Sequence, residues 1–252
     1  QKVDWKVYFD GSFWGHHGRE RAGREVPVQK WFSWAGRDWF VPSVYVCSKG
    51  IVVDFCMRTE ASALHGFMKK WGIDPESDES IDFTRDEREQ MEREHPLSLG
   101  FTPSLTLNGA KLRTSHGCGV IFLPEQPGFC ADAEPAMAHY GLDRAYGWSI
   151  RRAAFPFVTK RAPKLKSLAV TMTADEGRVP GPRFRAAPEA QNDFCVGIIG
   201  GADGPVAIVV GEAAQGKLHT VCSSLHFAPV GHVGWRVGFR ETPWEAGTFD
   251  LL

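Results

Sequence analysis

The sequence predicts an α+β protein dominated by antiparallel sheet and sandwich-like in form, with two or three short helices. Three observations carry that expectation. Turn dipeptides such as Asp10-Gly11 and Asn108-Gly109 recur between β-type runs. Leu168, Val170 and Met172 alternate with Ala169, Thr171 and Thr173, and Val233, Trp235, Val237 and Phe239 alternate with Gly234, Arg236, Gly238 and Arg240. Period-two alternation means a strand with one buried face, hence an antiparallel sheet. A 3.6-residue apolar period, by contrast, is confined to short segments.

In chain order, Val3–Phe9, Asp10-Gly11 and Ser12–Trp14 read as a short hairpin, because Asp-Gly tolerates the positive φ of a type I′ turn. Residues 15–30 are rich in Gly and Arg and read as loop. Tyr45-Val46-Cys47 and Ile51-Val52-Val53 flank Ser48-Lys49-Gly50, a three-residue hairpin connection. Leu64, Phe67, Met68 and Trp71 stand at i, i+3, i+4 and i+7 before Gly72, which places an amphipathic helix over 61–71. Thr84-Arg85-Asp86-Glu87 is a capping-box pattern and Pro96 ends the segment, so a second, charged helix lies on the surface. Leu105 to Leu112 around Asn108-Gly109 is the strongest hairpin signal. A third helix starts near Pro135 and ends by Gly141. The rest is β. The basic, Pro-containing Lys160–Lys166 marks a boundary between a mixed part, 1–159, and an all-β part, 160–252, which stand apart or pack as one unit.

Length and composition suit a globular chain: 252 residues, 43% hydrophobic and 23% charged. With 29 basic and 30 acidic residues, no bulk attraction to nucleic acid is expected. Charge is unevenly placed, with ten acidic residues from Asp74 to Glu94 and seven basic ones with no acid from Arg144 to Ala174. The plain reading is two solvated faces; the functional one is a polyanion patch and an acidic partner surface. Six dispersed cysteines without a CxxC pair favour a reducing, cytoplasmic setting, although a chain beginning at Gln1 leaves room for a removed leader. No window offers the roughly 20 apolar residues of a membrane span.

Chemistry-bearing residues are sparse. Cys222, His226 and His232 invite a metal reading, but i and i+4 on a straight strand lie about 13 Å apart, too far to share one ion. No metal and no cofactor are therefore expected. Ser115-His116-Gly117-Cys118-Gly119 brings a thiol near an imidazole, the pairing that activates a cysteine nucleophile. His116 and Cys118 share a strand face, yet no orienting Asn or Asp can be named. The bland alternative is a loop entering a buried strand. Nine tryptophans, with Trp31, Trp34 and Trp39 close together, are read as core rather than as a stacking platform.

Residues 194–211 form an apolar run split by Gly200, Gly201, Asp203, Gly204 and Pro205. Ile198–Ile208 resembles the IGGADGPTAI signature of the β subunit of sodium-translocating decarboxylases, whose aspartate belongs to an intramembrane ion path. The resemblance implies Asp203 as a cation ligand, with Gly200, Gly201 and Gly204 allowing close backbone approach. Val206 stands where the signature has threonine, and the many membrane spans of that subunit are absent, so transport does not follow. The motif, with Val41–Gly50, Tyr140–Asp143 and Cys222–Phe227, is also similar to uncharacterised soluble bacterial proteins carrying an IIGGADGPTAIF-type motif. That kinship implies no activity. As plain chemistry, Asp203-Gly204 suits a turn and Pro205 the first residue of a strand.

The sequence thus points to a soluble, non-catalytic binding or interaction protein with a protein or small-molecule partner. The alternative is a hydrolase-type enzyme with a site near His116 and Cys118 or near Asp203. Its oligomeric state is not encoded in any pattern found.

Overall fold

The computed structural model describes the chain from Trp5 to Leu252 apart from residues 17, 74–81, 125–126, 160–161, 176, 186–193, 202–203, 213–218, 221–225, 230–233 and 242–243; the strands from 177 to 241 are described by their backbone. Two compact units result: Gln1–Thr173 with Glu245–Leu252, and Ala174–Trp244.

The first unit opens with β1 (Arg24–Trp34), β2 (Arg37–Val46) and β3 (Gly50–Glu60), then helices α1 (Ala61–Trp71) and α2 (Arg85–Glu94). Next come β4 (Phe101–Leu107), β5 (Ala110–Arg113) and β6 (His116–Phe122). A 3-10 segment, Pro127–Ala133, leads into α3 (Glu134–Tyr140), followed by β7 (Tyr146–Pro156) and β8 (Leu168–Ala174). The second unit holds β9 (Gly177–Arg185), β10 (Phe194–Gly201), β11 (Gly204–Glu212), β12 (His219–Thr220), β13 (His226–Pro229) and β14 (Gly234–Glu241). The chain then returns to the first unit as β15 (Gly247–Asp250). Among the described residues the fold is α+β and mainly antiparallel sheet with three short helices, as the sequence predicts.

Two sheets build the first unit, in the orders β1-β2-β3-β7-β6 and β15-β8-β4-β5. One face of the five-stranded sheet meets the other sheet through aromatic rings. Phe101 of β4 lies 4.9 Å from Trp39 and 5.8 Å from Phe55, and Phe249 of β15 stacks on Phe32 at 4.0 Å. The opposite face is covered as well. Cys56, Val120, Phe122 and Ile150 pack against Cys130, Ala136 and Met137 of the 3-10 segment and α3. Tyr45, Val52 and Ala154 pack against Val7 and Phe9. Burial on both faces explains why β2 and β3 read as continuous apolar runs instead of alternating.

The turns follow from residue chemistry. Asn108 (φ 49°) and Gly109 (φ 86°) take the two left-handed positions between β4 and β5. α1 ends where Gly72 turns left-handed at φ 64°, and α2 starts with the Thr84–Glu87 capping box.

Two expectations change. Among the described residues, 5–8 form no strand and the bridge near the Asp10-Gly11 turn joins Ser12 to Gly15, while Val3 and Asp4 lie outside the described residues. Val7 and Phe9 are instead buried against the five-stranded sheet, so their alternation serves packing and not a ladder. The segment read as loop over 15–30 already contains the start of β1 at Arg24. β1 is an edge strand with a register break between Pro27 and Lys30, and an edge admits the proline and charges that hid it.

Within the second unit the sheets run β10-β11-β12 and β13-β14-β9. β10 and β11 pair antiparallel, with Gly200 opposite Pro205 and Gly201 opposite Gly204.

Candidate functional site

β6 and β7 pair from His116↔Ala154 to Phe122↔Trp148, so Gly119 stands opposite Arg151 and Cys118 opposite Arg152. Alternation sends Ala153, Arg151 and Ser149 to the face shared with β4, and β6 contributes Gly117, Gly119 and Ile121 there. Neither glycine brings a side chain there, and β7 approaches both closely: a Cβ at Gly117 would meet the Arg152 carbonyl oxygen at 2.5 Å and one at Gly119 the Arg151 Cγ at 3.3 Å. A cleft of about 420 Å³ is lined by Phe55, Phe101, Thr114, Ser149 and Arg151 along the β6 edge. The Arg151 guanidinium lies 4.6 Å from the Phe101 ring centroid. Among the described residues no carboxylate pairs with it. An exposed, permanently charged fork held over an aromatic ring at the mouth of a cleft is suited to a carboxylate.

His116 and Cys118 line the same cleft by position. Their side chains leave from the other face. His116 places Nε2 2.8 Å from the Phe9 carbonyl oxygen and Nδ1 2.9 Å from the Ser115 hydroxyl. Both ring nitrogens are thus engaged away from the thiol. Burial pushes the Cys118 thiol above its ordinary range, only partly offset by a hydrogen bond that its sulfur accepts from the Phe13 backbone. A nucleophilic thiol needs the reverse shift.

The same face holds a charged network that sequence inspection did not single out. Asp54 is wholly buried and Arg152 nearly so. Arg152 donates through Nε to Oδ1 at 2.8 Å and through a terminal nitrogen to Oδ2 at 2.7 Å. Tyr140 donates a third hydrogen bond to Oδ2 at 2.6 Å. The Tyr140 and Tyr45 hydroxyls are 2.8 Å apart, and Trp5 donates its indole N–H to Tyr45. Glu25 receives Tyr45 at 3.1 Å and faces His139 Nε2 at 3.0 Å. The rings of Phe13 and Trp5 lie 4.3 Å and 5.3 Å from the guanidinium carbon. Burial opposes the charge on Arg152, but Asp54 outweighs it and raises the guanidinium pKa. Burial likewise opposes ionisation of Glu25, yet hydrogen bonds from Ser43, His139 and Tyr45 hold its carboxyl below the usual range. Burial carries the Tyr140 hydroxyl well above the normal phenol range, with the Asp54 charge adding to it. Every member is satisfied by another, which makes this a structural clamp across β3, β7 and α3.

The remaining candidates lie elsewhere. Gly200, Gly201 and Gly204 occupy the paired ends of β10 and β11, and Asp203 lies outside the described residues. His226 is in β13, while Cys222 and His232 are outside the described residues. Among the described residues no group of His, Cys, Asp or Glu is placed to hold a metal ion. A second concavity of about 340 Å³ runs between α1 and α2, lined mainly by Leu64, Phe67, Met68, Ile73 and Met91. Among the described residues no helix is long and apolar enough to cross a membrane.

Arg151 and Phe101 went unread in the sequence, though a signal existed. Arg151-Arg152 within a strand sends one guanidinium to each face, and Gly117-x-Gly119 on the neighbouring strand leaves one face bare. Searches against family profiles, curated proteins and solved structures return no match to this chain.

Proposed function

We propose that the protein is a non-catalytic binding protein whose site is the cleft beneath β6, and that its partner presents a carboxylate beside an apolar or aromatic group. The observation that carries this reading is the Arg151 guanidinium, poised over Phe101 at the mouth of the cleft with no acid of its own among the described residues. Arg recognises carboxylates through two parallel N–H donors, and an apolar wall fixes the remainder of the ligand. Cys118 adds support, since burial raises its pKa and both His116 nitrogens are engaged elsewhere, so neither gives the thiol the activation a nucleophile needs. The described cysteines Cys47, Cys56, Cys118 and Cys130 are all free thiols, which accords with a reducing compartment.

The test uses 3-phenylpropionate and its uncharged amide as probes, followed by amide NMR. The acid is expected to shift the amides of Gly117, Gly119 and Ser149 at millimolar concentration, and the amide to leave them unmoved. Arg151→Glu is expected to abolish the response while leaving the melting temperature within about 1 °C, as befits an exposed substitution. Equal shifts from acid and amide, or an undiminished response in Arg151→Glu, refute the reading.

A further inference from the structure

We infer that the natural occupant of this cleft is an extended peptide segment of another protein, added as a sixth strand along β6 with an acidic side chain reaching Arg151. This rests on the binding reading above and deepens it.

The first argument concerns edges. A sheet edge offers unpaired N–H and C=O groups, and proteins blunt such edges with charge, proline, bulges or brevity. Among the described residues the two sheets of the first unit have four edges, and three of them are blunted. β1 carries Arg24, Pro27 and Lys30 and a register break between Pro27 and Lys30. β5 has four residues, among them Lys111 and Arg113, and β15 has four, ending in Asp250. β6 differs. Its seven residues, His116-Gly-Cys-Gly-Val-Ile-Phe122, include no proline and no permanent charge, and its register with β7 is unbroken. His116, Gly117, Gly119 and Ile121 are exposed. An edge left pairing-competent in a unit whose other described edges are guarded is a place where a strand can add.

The second argument concerns reach. A strand laid on β6 would put one residue opposite Gly119, two strand spacings, or about 10 Å, from Arg151. Gly119 interposes no side chain, so an arginine and a glutamate extending toward each other close that gap. A residue two positions along would enter the cleft beside Phe101. The same geometry argues against a second copy of this chain as the occupant. The β6 of a copy brings glycines and no carboxylate to Arg151, which would leave both guanidiniums unmatched.

The test selects binders from a displayed library of random nine-residue peptides on the full-length protein. Enriched peptides are then resynthesised with Glu or Asp replaced by the amide, and with alternate backbone nitrogens methylated. The expected outcome is β-branched peptides with one acid at a fixed position, weakened tenfold or more by either change. Arg151→Gln should remove the preference for acid over amide, and hydrogen exchange should slow along β6 in the complex. Absence of enriched peptides, or binders indifferent to backbone methylation, overturns strand addition. If 3-phenylpropionate still shifts the cleft amides in that case, the binding reading survives alone; if it does not, both fail. A dimer by sedimentation without peptide, with β6 already protected from exchange, also overturns the inference in favour of a second copy.

Discussion

Asp54 sits opposite Arg152 in the β3–β7 ladder, with no accessible surface of its own. A carboxylate in such a place is tolerable only because two guanidinium bonds and the Tyr140 hydroxyl replace its water. Neither charge can be removed alone without stranding the other. Asp54→Asn keeps the shape and leaves Arg152 buried without a counter-charge, so it should cost about 3–5 kcal/mol in urea unfolding. The double variant Asp54→Asn/Arg152→Met removes both charges and should be more stable than Asp54→Asn. A single variant within 1 kcal/mol of wild type would mean that water or another group already shares the charge.

At the scale of elements, local chemistry decided what the sequence made legible. α1, α2 and α3 were readable from a 3.6 period, a capping box and a Pro–Gly pair, all signals within one turn of the helix they define. The Asn108-Gly109 hairpin was equally plain. β1 was hidden because an edge strand obeys no apolar alternation, and Val7 and Phe9 imitated a strand because they pack on one. The cleft was illegible for a different reason: it needs the register of β6 on β7 and the approach of β4, which no single segment encodes. Asn108 shows a local signal with a long-range use. Its Oδ1 accepts the amides of Lys166 and Ser167 at 3.0 Å each, and its Nδ2 donates to the Lys164 carbonyl at 2.7 Å. Asn108→Gly keeps the left-handed φ and loses this clamp, so it should cost about 1–2 kcal/mol and speed amide exchange over 166–168. Asn108→Val adds strain at φ 49° and should be worse. Equal stability of the two variants would place the role of Asn108 in the clamp alone.

For the whole molecule, the route of the chain matters more than its composition. It leaves the first unit after β8 and returns as β15, and those two strands pair, with Gly247 opposite Met172. Partners in an antiparallel ladder have Cα atoms about 5 Å apart, so the excursion through the second unit begins and ends at almost one point. That is the geometry of an insertion at a hairpin tip, where chains tolerate added domains. Replacing Ala174–Trp244 by Gly-Asn-Gly would then join β8 to β15 through a tight hairpin turn. The shortened protein is expected to unfold in one cooperative transition, with tryptophan fluorescence and far-UV circular dichroism coinciding. Phe55, Phe101, Thr114, Ser149 and Arg151 all lie in the retained part, so the response of Gly117 and Gly119 to 3-phenylpropionate should persist. Two non-coincident transitions, or a chain that fails to fold, would show that the β8–β15 ladder depends on the second unit. A folded protein that no longer answers the acid would move the binding site out of the first unit and take the role of Arg151 with it.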